Sequence, residues 1–366
     1  MTQPTSTEDR IEETLAELPP SSKLVYKVLE YNGRLPQKEL ADETRLSPRT
    51  LRYALSQLED VGLVESRPAL YDARETCYTR VGDPAGSEYA SDALVEADWV
   101  HERLPSFKSD DPSARLLYIA TDGVAEELVP GSVVVESTAD ILDPNRQQFP
   151  TRTEFENALG THGVTPETDL VLYDDGVGYY AAYAYWMLAY FGHGAMRLLN
   201  GGLEHWLDEG FSTTDSPEPF PTREYTIRGV FSRVRAHRDE VARALSSDTV
   251  LLDVRSQSEH RGEATEEDDL SAVAQSRGHI PGATNIPWGA VYGDDHRFAA
   301  RSDLEERFAD ADVTKDREII VYCGVGGRSA LVWFVLSELL GYPEVLNYDG
   351  SWTEWGNLVD VPIETE

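Results

Sequence analysis

Cysteine, lysine and methionine are scarce in this 366-residue chain, with two Cys, three Met and Lys only at positions 23, 27, 38, 108 and 315. Two cysteines, Cys77 and Cys323, cannot build a disulfide framework, so a reducing cytoplasmic location is expected. No stretch approaches the roughly 18 uninterrupted apolar residues of a membrane span. The start of the chain is polar and acidic, without the basic-then-apolar order of a signal peptide. Positive charge is also short: 32 Lys and Arg face 66 Asp and Glu, for a net charge of −34. That balance excludes a protein that mainly coats nucleic acid or an anionic membrane. An acid-rich, Lys-poor composition is what a salt-loaded cytoplasm tolerates, because salt screens self-repulsion. A halophilic protein is therefore expected, against the plain alternative of an acidic protein from ordinary salt.

Hydrophobic residues make up 40% of the chain and Trp and Tyr number 7 and 18, enough for substantial cores in two or three domains. The charge is unevenly spread. Residues 1–20 form an acidic tail with one Arg against five acids, while residues 21–82 hold ten Lys and Arg against nine Asp and Glu. A near-neutral module thus precedes a strongly acidic body. Residues 83–91, opening Asp83-Pro84-Ala85-Gly86-Ser87-Glu88, read as the linker between them.

The module is patterned as three helices and a hairpin. Leu24, Val25, Val28 and Leu29 form an apolar stripe, and Pro36 to Thr44 reads as a second helix with Leu40 and Ala41 inward. Ser47-Pro48 is an N-cap followed by Pro at the first helical position, opening a helix with Leu51, Ala54, Leu55 and Leu58 on one face. Leu63 to Ser66 and Thr76 to Thr79 read as strands around Tyr71-Asp72-Ala73. The pattern resembles the winged helix-turn-helix domains of archaeal and bacterial transcription regulators. That resemblance implies DNA contacts from the start of the third helix, by Arg49, Thr50, Arg52 and Tyr53. The alternative is a protein–protein module with solvated arginines.

The body repeats itself. Gly192 to Trp206 aligns with Gly341 to Trp355 at an offset of 149 without a gap, and the same offset places Leu170-Val171-Leu172-Tyr173 on Ile319-Ile320-Val321-Tyr322. Each apolar run reads as a buried strand followed by a Gly-containing loop and an apolar helix, Tyr179 to Tyr190 in the first copy and Ser329 to Leu340 in the second. Two α/β domains with parallel sheets are expected, over residues 92–215 and 231–366, joined by a linker at 216–230.

One cysteine carries the chemistry. Cys323 stands at the carboxyl end of the strand Ile319 to Tyr322, and the loop Gly324-Val325-Gly326-Gly327-Arg328 leads to Ser329. Ligands of open α/β sheets collect at strand ends and helix starts. Three glycines let the backbone turn successive N–H groups inward as an anion nest. The helix start and Arg328 add positive charge, so Cys323 is expected to be a low-pKa nucleophile.

This constellation resembles the rhodanese family of sulfurtransferases, over roughly residues 92 to 366. Leu251 to Arg255, Gly278 to Trp288, Cys323 to Ser329 and Asp349 to Trp355 match family signatures in order. The tandem arrangement is similar to two-domain thiosulfate sulfurtransferases with an inert first copy. The loop departs from the subgroup pattern C-R-I-G-E-R-S, reading C-G-V-G-G-R-S, so it lacks the side chains of that Arg and Glu. At the offset of 149, Cys323 falls on Asp174 and Arg328 on Tyr179, leaving the first copy without a nucleophile. Four residues separate Cys323 from Arg328, one fewer than the C-x5-R ring of cysteine phosphatases.

The resemblance implies a double displacement without metal or organic cofactor. Thiolate Cys323 takes the outer sulfur of thiosulfate as a persulfide, cradled by Gly324, Val325, Gly326, Gly327 and Ser329, and passes it to a thiol or a protein acceptor. Arg328 steers the anionic donor, with Arg277 as a second anion-binding candidate. Asp253 and Arg255 are expected to hold loops by ion pairing, and His279, Trp352 and Trp355 to be structural. 3-Mercaptopyruvate is the alternative donor. A sulfur-responsive transcription regulator is the alternative function, with the rhodanese part as sensor and the winged helix on DNA.

Overall fold

A computed structural model describes residues 11–366 apart from 12–13, 17, 33–34, 69–75, 81–88, 109–112, 121–125, 137–148, 177, 264–273, 294 and 366. The chain divides into two compact units between Leu94 and Val95. The hairpin tip at 71–73 and most of the stretch read as a linker at 83–91 lie outside the described residues.

In the first unit, helices α1 (Pro20–Asn32), α2 (Gln37–Thr44) and α3 (Pro48–Asp60) accompany strands β1 (Leu35–Pro36), β2 (Val64–Pro68) and β3 (Thr76–Arg80). The strands form an antiparallel sheet in the order β1-β3-β2, with Ser66 opposite Tyr78. Ser47 caps α3 by accepting the Thr50 N–H at 3.2 Å, and Pro48 loses no bond at a position with no intrahelical acceptor. Leu51, Ala54, Leu55 and Leu58 recur at helical spacing and bury one face of α3 against Val25, Tyr26, Leu29 and Leu40. The α1 stripe differs by one residue from expectation: Leu24 points outward at 42% exposure, and Tyr26 fills the core instead. Cys77 belongs to β3.

The second unit holds the repeat. Its first lobe is a sheet in the order β4-β8-β7-β5-β6, from β4 (Leu94–Val95), β5 (Ala114–Ala120), β6 (Ser132–Glu136), β7 (Asp169–Tyr173) and β8 (Met196–Leu199). The second lobe orders β10-β9-β11-β12, from β9 (Val250–Asp253), β10 (Thr284–Asn285), β11 (Ile319–Tyr322) and β12 (Val345–Asn347), all parallel. Central strand β11 and residues Leu170 to Tyr173 of β7 are continuous apolar runs because both sheet faces are covered.

Two equivalent helices explain why the lobes stay together. Helix α4 (Ala97–Phe107) covers the first sheet and α5 (Arg152–Thr161) stacks its Phe155 ring on Phe191, but α6 (Tyr179–Tyr190) is apolar all round and buried from Ala181 to Ala189. It packs on α11 (Gly327–Phe334) of the second lobe, with the Tyr185 ring 4.9 Å from that of Phe334. A helix between its own sheet and a neighbouring lobe has no wet face to make polar. Helix α11 starts two residues before the expected Ser329 and passes into a π turn at Val335–Leu339. Helices α7 (Gly202–Asp208) and α12 (Ser351–Trp355) occupy equivalent places after β8 and β12, and α8 (Arg238–Ala244), α9 (Gln257–Arg261) and α10 (Arg301–Asp310) complete the second lobe. No helix among the described residues is long and apolar enough to cross a membrane.

Candidate active site

Strand β11 ends at Tyr322, and the next residue, Cys323, is fully buried. Its N–H donates to Ser351 Oγ at 3.0 Å, while Ser351 donates its own hydroxyl hydrogen to the Tyr348 carbonyl at 2.7 Å. The first turn of α12 then ties down the loop, because the N–H groups of Trp352 and Thr353 donate to the carbonyls of Cys323 and Gly324, each at 3.0 Å. With its carbonyls satisfied there, the loop turns an N–H toward the sulfur: Gly326 donates to Cys323 Sγ at 3.1 Å. Gly326 has φ +98°, and a Cβ at this position would stand 2.8 Å from the Asp349 carbonyl oxygen. Both the conformation and the close approach require glycine.

The loop is braced from the sheet side. The Ser329 hydroxyl lies 2.6 Å from Asn347 Oδ1 and 3.0 Å from the Gly326 carbonyl, and Asn347 Nδ2 donates to the same carbonyl at 3.2 Å. Asp349, whose backbone abuts Gly326, is held by Arg235 through two 2.8 Å hydrogen bonds. The Arg235 guanidinium in turn lies 3.8 Å from the centre of the Phe149 ring, so the first lobe helps support the loop of the second.

Arg328 is placed differently from the expected anion clamp. Its two terminal nitrogens donate to Glu259 Oε2 at 2.9 Å and Oε1 at 3.0 Å, a bidentate pair with Glu259 buried. Glu259 is itself fixed as the capping box of α9, accepting the Ser256 N–H at 2.9 Å while its own N–H donates to Ser256 Oγ at 3.2 Å. The pair still acts on the nucleophile. Burial pushes the Cys323 thiol up, but the Arg328 charge, hydrogen bonds from Ser329 and the Gly326 N–H together bring it below the usual thiol value. Burial also opposes ionisation of Glu259, and the hydrogen bonds and charge of Arg328 outweigh it, holding that carboxyl below its usual range.

Beneath the loop lies a buried polar network. Arg255 donates to Asp253 through Nε at 2.9 Å and Nη2 at 2.6 Å, and Nη2 also reaches the Gly278 carbonyl at 2.8 Å. His260 Nδ1 lies 2.9 Å from Asp253 Oδ2, and His279 stacks on His260 at 3.7 Å between ring centres. Tyr322 donates its hydroxyl to Asp253 at 3.1 Å. Trp352 and Trp355 are core residues whose ring N–H groups donate to the carbonyls of Ser276 and Pro362. These groups fix loops. Arg277 is exposed beside Ser276, and Val325 is half-buried.

The first lobe repeats the loop with a different occupant. Asp174 follows β7 as Cys323 follows β11, and its carbonyl accepts the Leu203 N–H at 3.1 Å as that of Cys323 accepts Trp352. Its carboxylate fills the nest: Oδ1 accepts the N–H groups of Gly176 and Gly178, and Oδ2 those of Tyr180 and Ala181, at 2.9–3.2 Å. Burial, with a smaller push from the Asp175 charge, raises Asp174 to about 6 against the bonds from Ala181, Gly178 and Gly176. Tyr179 stands at the place of Arg328, half-buried, with its ring 5.9 Å from that of Trp288 in the second lobe.

On the first unit, Arg49, Arg52 and Tyr53 are exposed along α3. Thr50 is half-buried and its hydroxyl lies 2.8 Å from Ser47 Oγ, so it serves the helix cap. Sequence reasoning missed Glu259, Ser351, Asn347 and Arg235. For Glu259 a signal existed, since Ser256-Gln257-Ser258-Glu259 has capping-box spacing. The others contact the loop through tertiary packing, for which the sequence has no local mark.

Comparison with known proteins matches both units of the chain to families. A rhodanese-like domain matches residues 111–209 and again 237–358, and a winged helix-turn-helix DNA-binding family matches residues 20–65. A Haloferax volcanii protein provisionally named a thiosulfate sulfurtransferase is 43% identical over 76% of this chain and 99% of its own. The sulfur carrier protein TtuD of Thermus thermophilus is 39% identical over 74% of this chain and 96% of its own. Among solved structures, the anaerobic ergothioneine biosynthesis enzyme of Chlorobium limicola, with trimethyl histidine bound, superposes with a TM-score of 0.66 at 27% identity, covering 75% of this chain and 70% of that one. A structure of the ergothioneine enzyme EanB carries a persulfidated cysteine. Two matched segments, and relatives aligned along almost their whole length, establish that this chain belongs to the rhodanese family of sulfurtransferases.

Proposed function

We propose that the protein moves the outer sulfur of thiosulfate to a thiophilic acceptor through a persulfide on Cys323. The observation that carries this reading is the Gly326 N–H directed at a buried Cys323 sulfur whose thiol is held below its usual value. A thiolate is the attacking form, and the nest stabilises it without a general base. The thiolate pair forms a bond to the outer sulfur, the sulfur–sulfur bond of thiosulfate breaks, and its electron pair leaves with sulfite. The terminal sulfur of the persulfide is then the atom that the loop N–H groups receive. An acceptor thiolate attacks it and restores the Cys323 thiolate. The pattern in the first lobe supports this assignment, because the same loop there binds an anionic group through four N–H groups.

The relatives named for thiosulfate favour it over 3-mercaptopyruvate as donor. Steady-state assay with thiosulfate and cyanide tests the reading: the native protein releases sulfite and thiocyanate together over many turnovers, and Cys323→Ser releases neither. Faster turnover with 3-mercaptopyruvate would reassign the donor.

A second reading rests on the match of residues 20–65 to a winged helix-turn-helix DNA-binding family and on the exposed Arg49, Arg52 and Tyr53 of α3. In it the same persulfide reports sulfur status and the first unit binds DNA through α3. A single sulfur loaded per chain without turnover, with DNA affinity changing on loading, would favour this reading over the enzymatic one.

A further inference from the structure

We infer that Glu259 sets which donor charge this site accepts: by pairing with Arg328 it keeps that guanidinium from acting as a free clamp on a dianion. The inference rests on the sulfurtransferase reading and concerns the same pocket. It starts from what the loop offers a donor. Gly324, Val325, Gly326 and Gly327 bring no side-chain charge, and the one charged loop residue, Arg328, has both terminal nitrogens on Glu259 at 2.9 and 3.0 Å. Glu259 is not a mobile surface group that could swing aside. It is 5% exposed, and its carboxylate is locked to the backbone of Ser256 by the capping box. Together the pair is neutral, so the attraction left for the two charges of thiosulfate comes mainly from loop N–H groups and the start of α11. Those dipoles act on the transferred sulfur, which every sulfane donor has in common, and discriminate little between donors by total charge.

Glu259 is therefore a positioning residue with two consequences. It fixes the Arg328 guanidinium near the loop, and it reduces the part of that positive charge that a second negative charge on the donor would feel. Thiosulfate is used, but without the advantage that a free arginine would give it over singly charged donors. Two donors with the same reacting sulfur separate these effects: thiosulfate carries two negative charges, and methanethiosulfonate carries one and loses methanesulfinate instead of sulfite.

The test compares kcat/KM for the two donors in the full-length native protein and in Glu259→Gln, with cyanide as acceptor. Glu259→Gln keeps the side-chain shape and releases the arginine charge, so the thiosulfate-to-methanethiosulfonate ratio is expected to rise about tenfold, the size of one unit charge acting over several ångströms in a half-wet site. The gain should vanish in the double variant Glu259→Gln with Arg328→Gln. The pH midpoint for alkylation of Cys323 should fall in Glu259→Gln. Glu259→Asp retains the charge, so its ratio should match the native value even if both rates drop. An unchanged or lower ratio in Glu259→Gln, while Cys323 still takes up sulfur, overturns the inference. So does a rise of similar size in Glu259→Asp, which also decides the matter if the Gln variant fails to fold. Failure of the native protein to load Cys323 from either donor is a different result, and it overturns the sulfurtransferase reading itself.

Discussion

The two lobes of the second unit pose the same chemical question and answer it differently. Each ends a central strand in a short loop, ties the carbonyl of the first loop residue to the helix after the following strand, α7 or α12, and turns backbone N–H groups toward that residue's side chain. In the first lobe the side chain is the Asp174 carboxylate, which takes four N–H groups for itself. In the second it is Cys323, whose single sulfur accepts the Gly326 N–H. The comparison teaches that the nest alone is not the activity. A filled nest stabilises a fold; a nest around a nucleophile with a neighbouring cation can carry a transferable group.

The strongest way to break the comparison is Cys323→Ser, expected to reduce sulfur transfer to background, whereas Asp174→Ser should leave turnover near native. Sulfite release measures both. Next, Gly326→Ala forces a side chain into φ +98° and toward the Asp349 backbone, so kcat/KM should fall at least about tenfold with a melting-temperature loss. Gly178→Ala in the first lobe meets similar strain at φ +87°, and should cost stability while sparing most turnover. Arg328→Gln removes the charge that helps ionise Cys323. Its alkylation midpoint should move to higher pH and kcat/KM at neutral pH should fall by about tenfold.

The smallest effect concerns Asp174. Burial holds its carboxyl at about 6, above its unfolded value, so the folded state binds the proton more tightly. Its contribution to stability is present at low pH and is lost as pH rises toward and through about 6. Asp174→Asn should flatten that part of the melting-temperature profile and leave the Cys323 alkylation profile in place. On the separate first unit, Arg52→Ala should weaken binding in a gel-shift assay if α3 reads DNA; unchanged binding would remove α3 from that role.

Much of this was legible in the sequence because it is local. Uninterrupted Ile319 to Tyr322, the glycine loop and the apolar run Tyr179 to Tyr190 gave the strand, the turn and the helix, and the 149-residue offset gave the second lobe. Ser47-Pro48 gave the start of α3. What the sequence hid was partnership. Arg328 reads as an anion clamp until Glu259, 69 positions away, is seen on its guanidinium. Thr50, expected on the DNA-facing start of α3, also places its hydroxyl beside Ser47, a contact the sequence did not mark. Leu24 and Tyr26 flank Val25 on α1, and which of the two is buried depends on which side of α1 meets α3, which is settled only by packing.

The most direct measurement of the central claim is the mass of the Cys323 peptide after the protein is treated with thiosulfate and separated from excess donor. A gain of one sulfur atom, about 32 Da, on Cys323, removed by cyanide and absent from Cys323→Ser, is the predicted result. An unmodified Cys323 peptide from protein that is folded and turning over would contradict it.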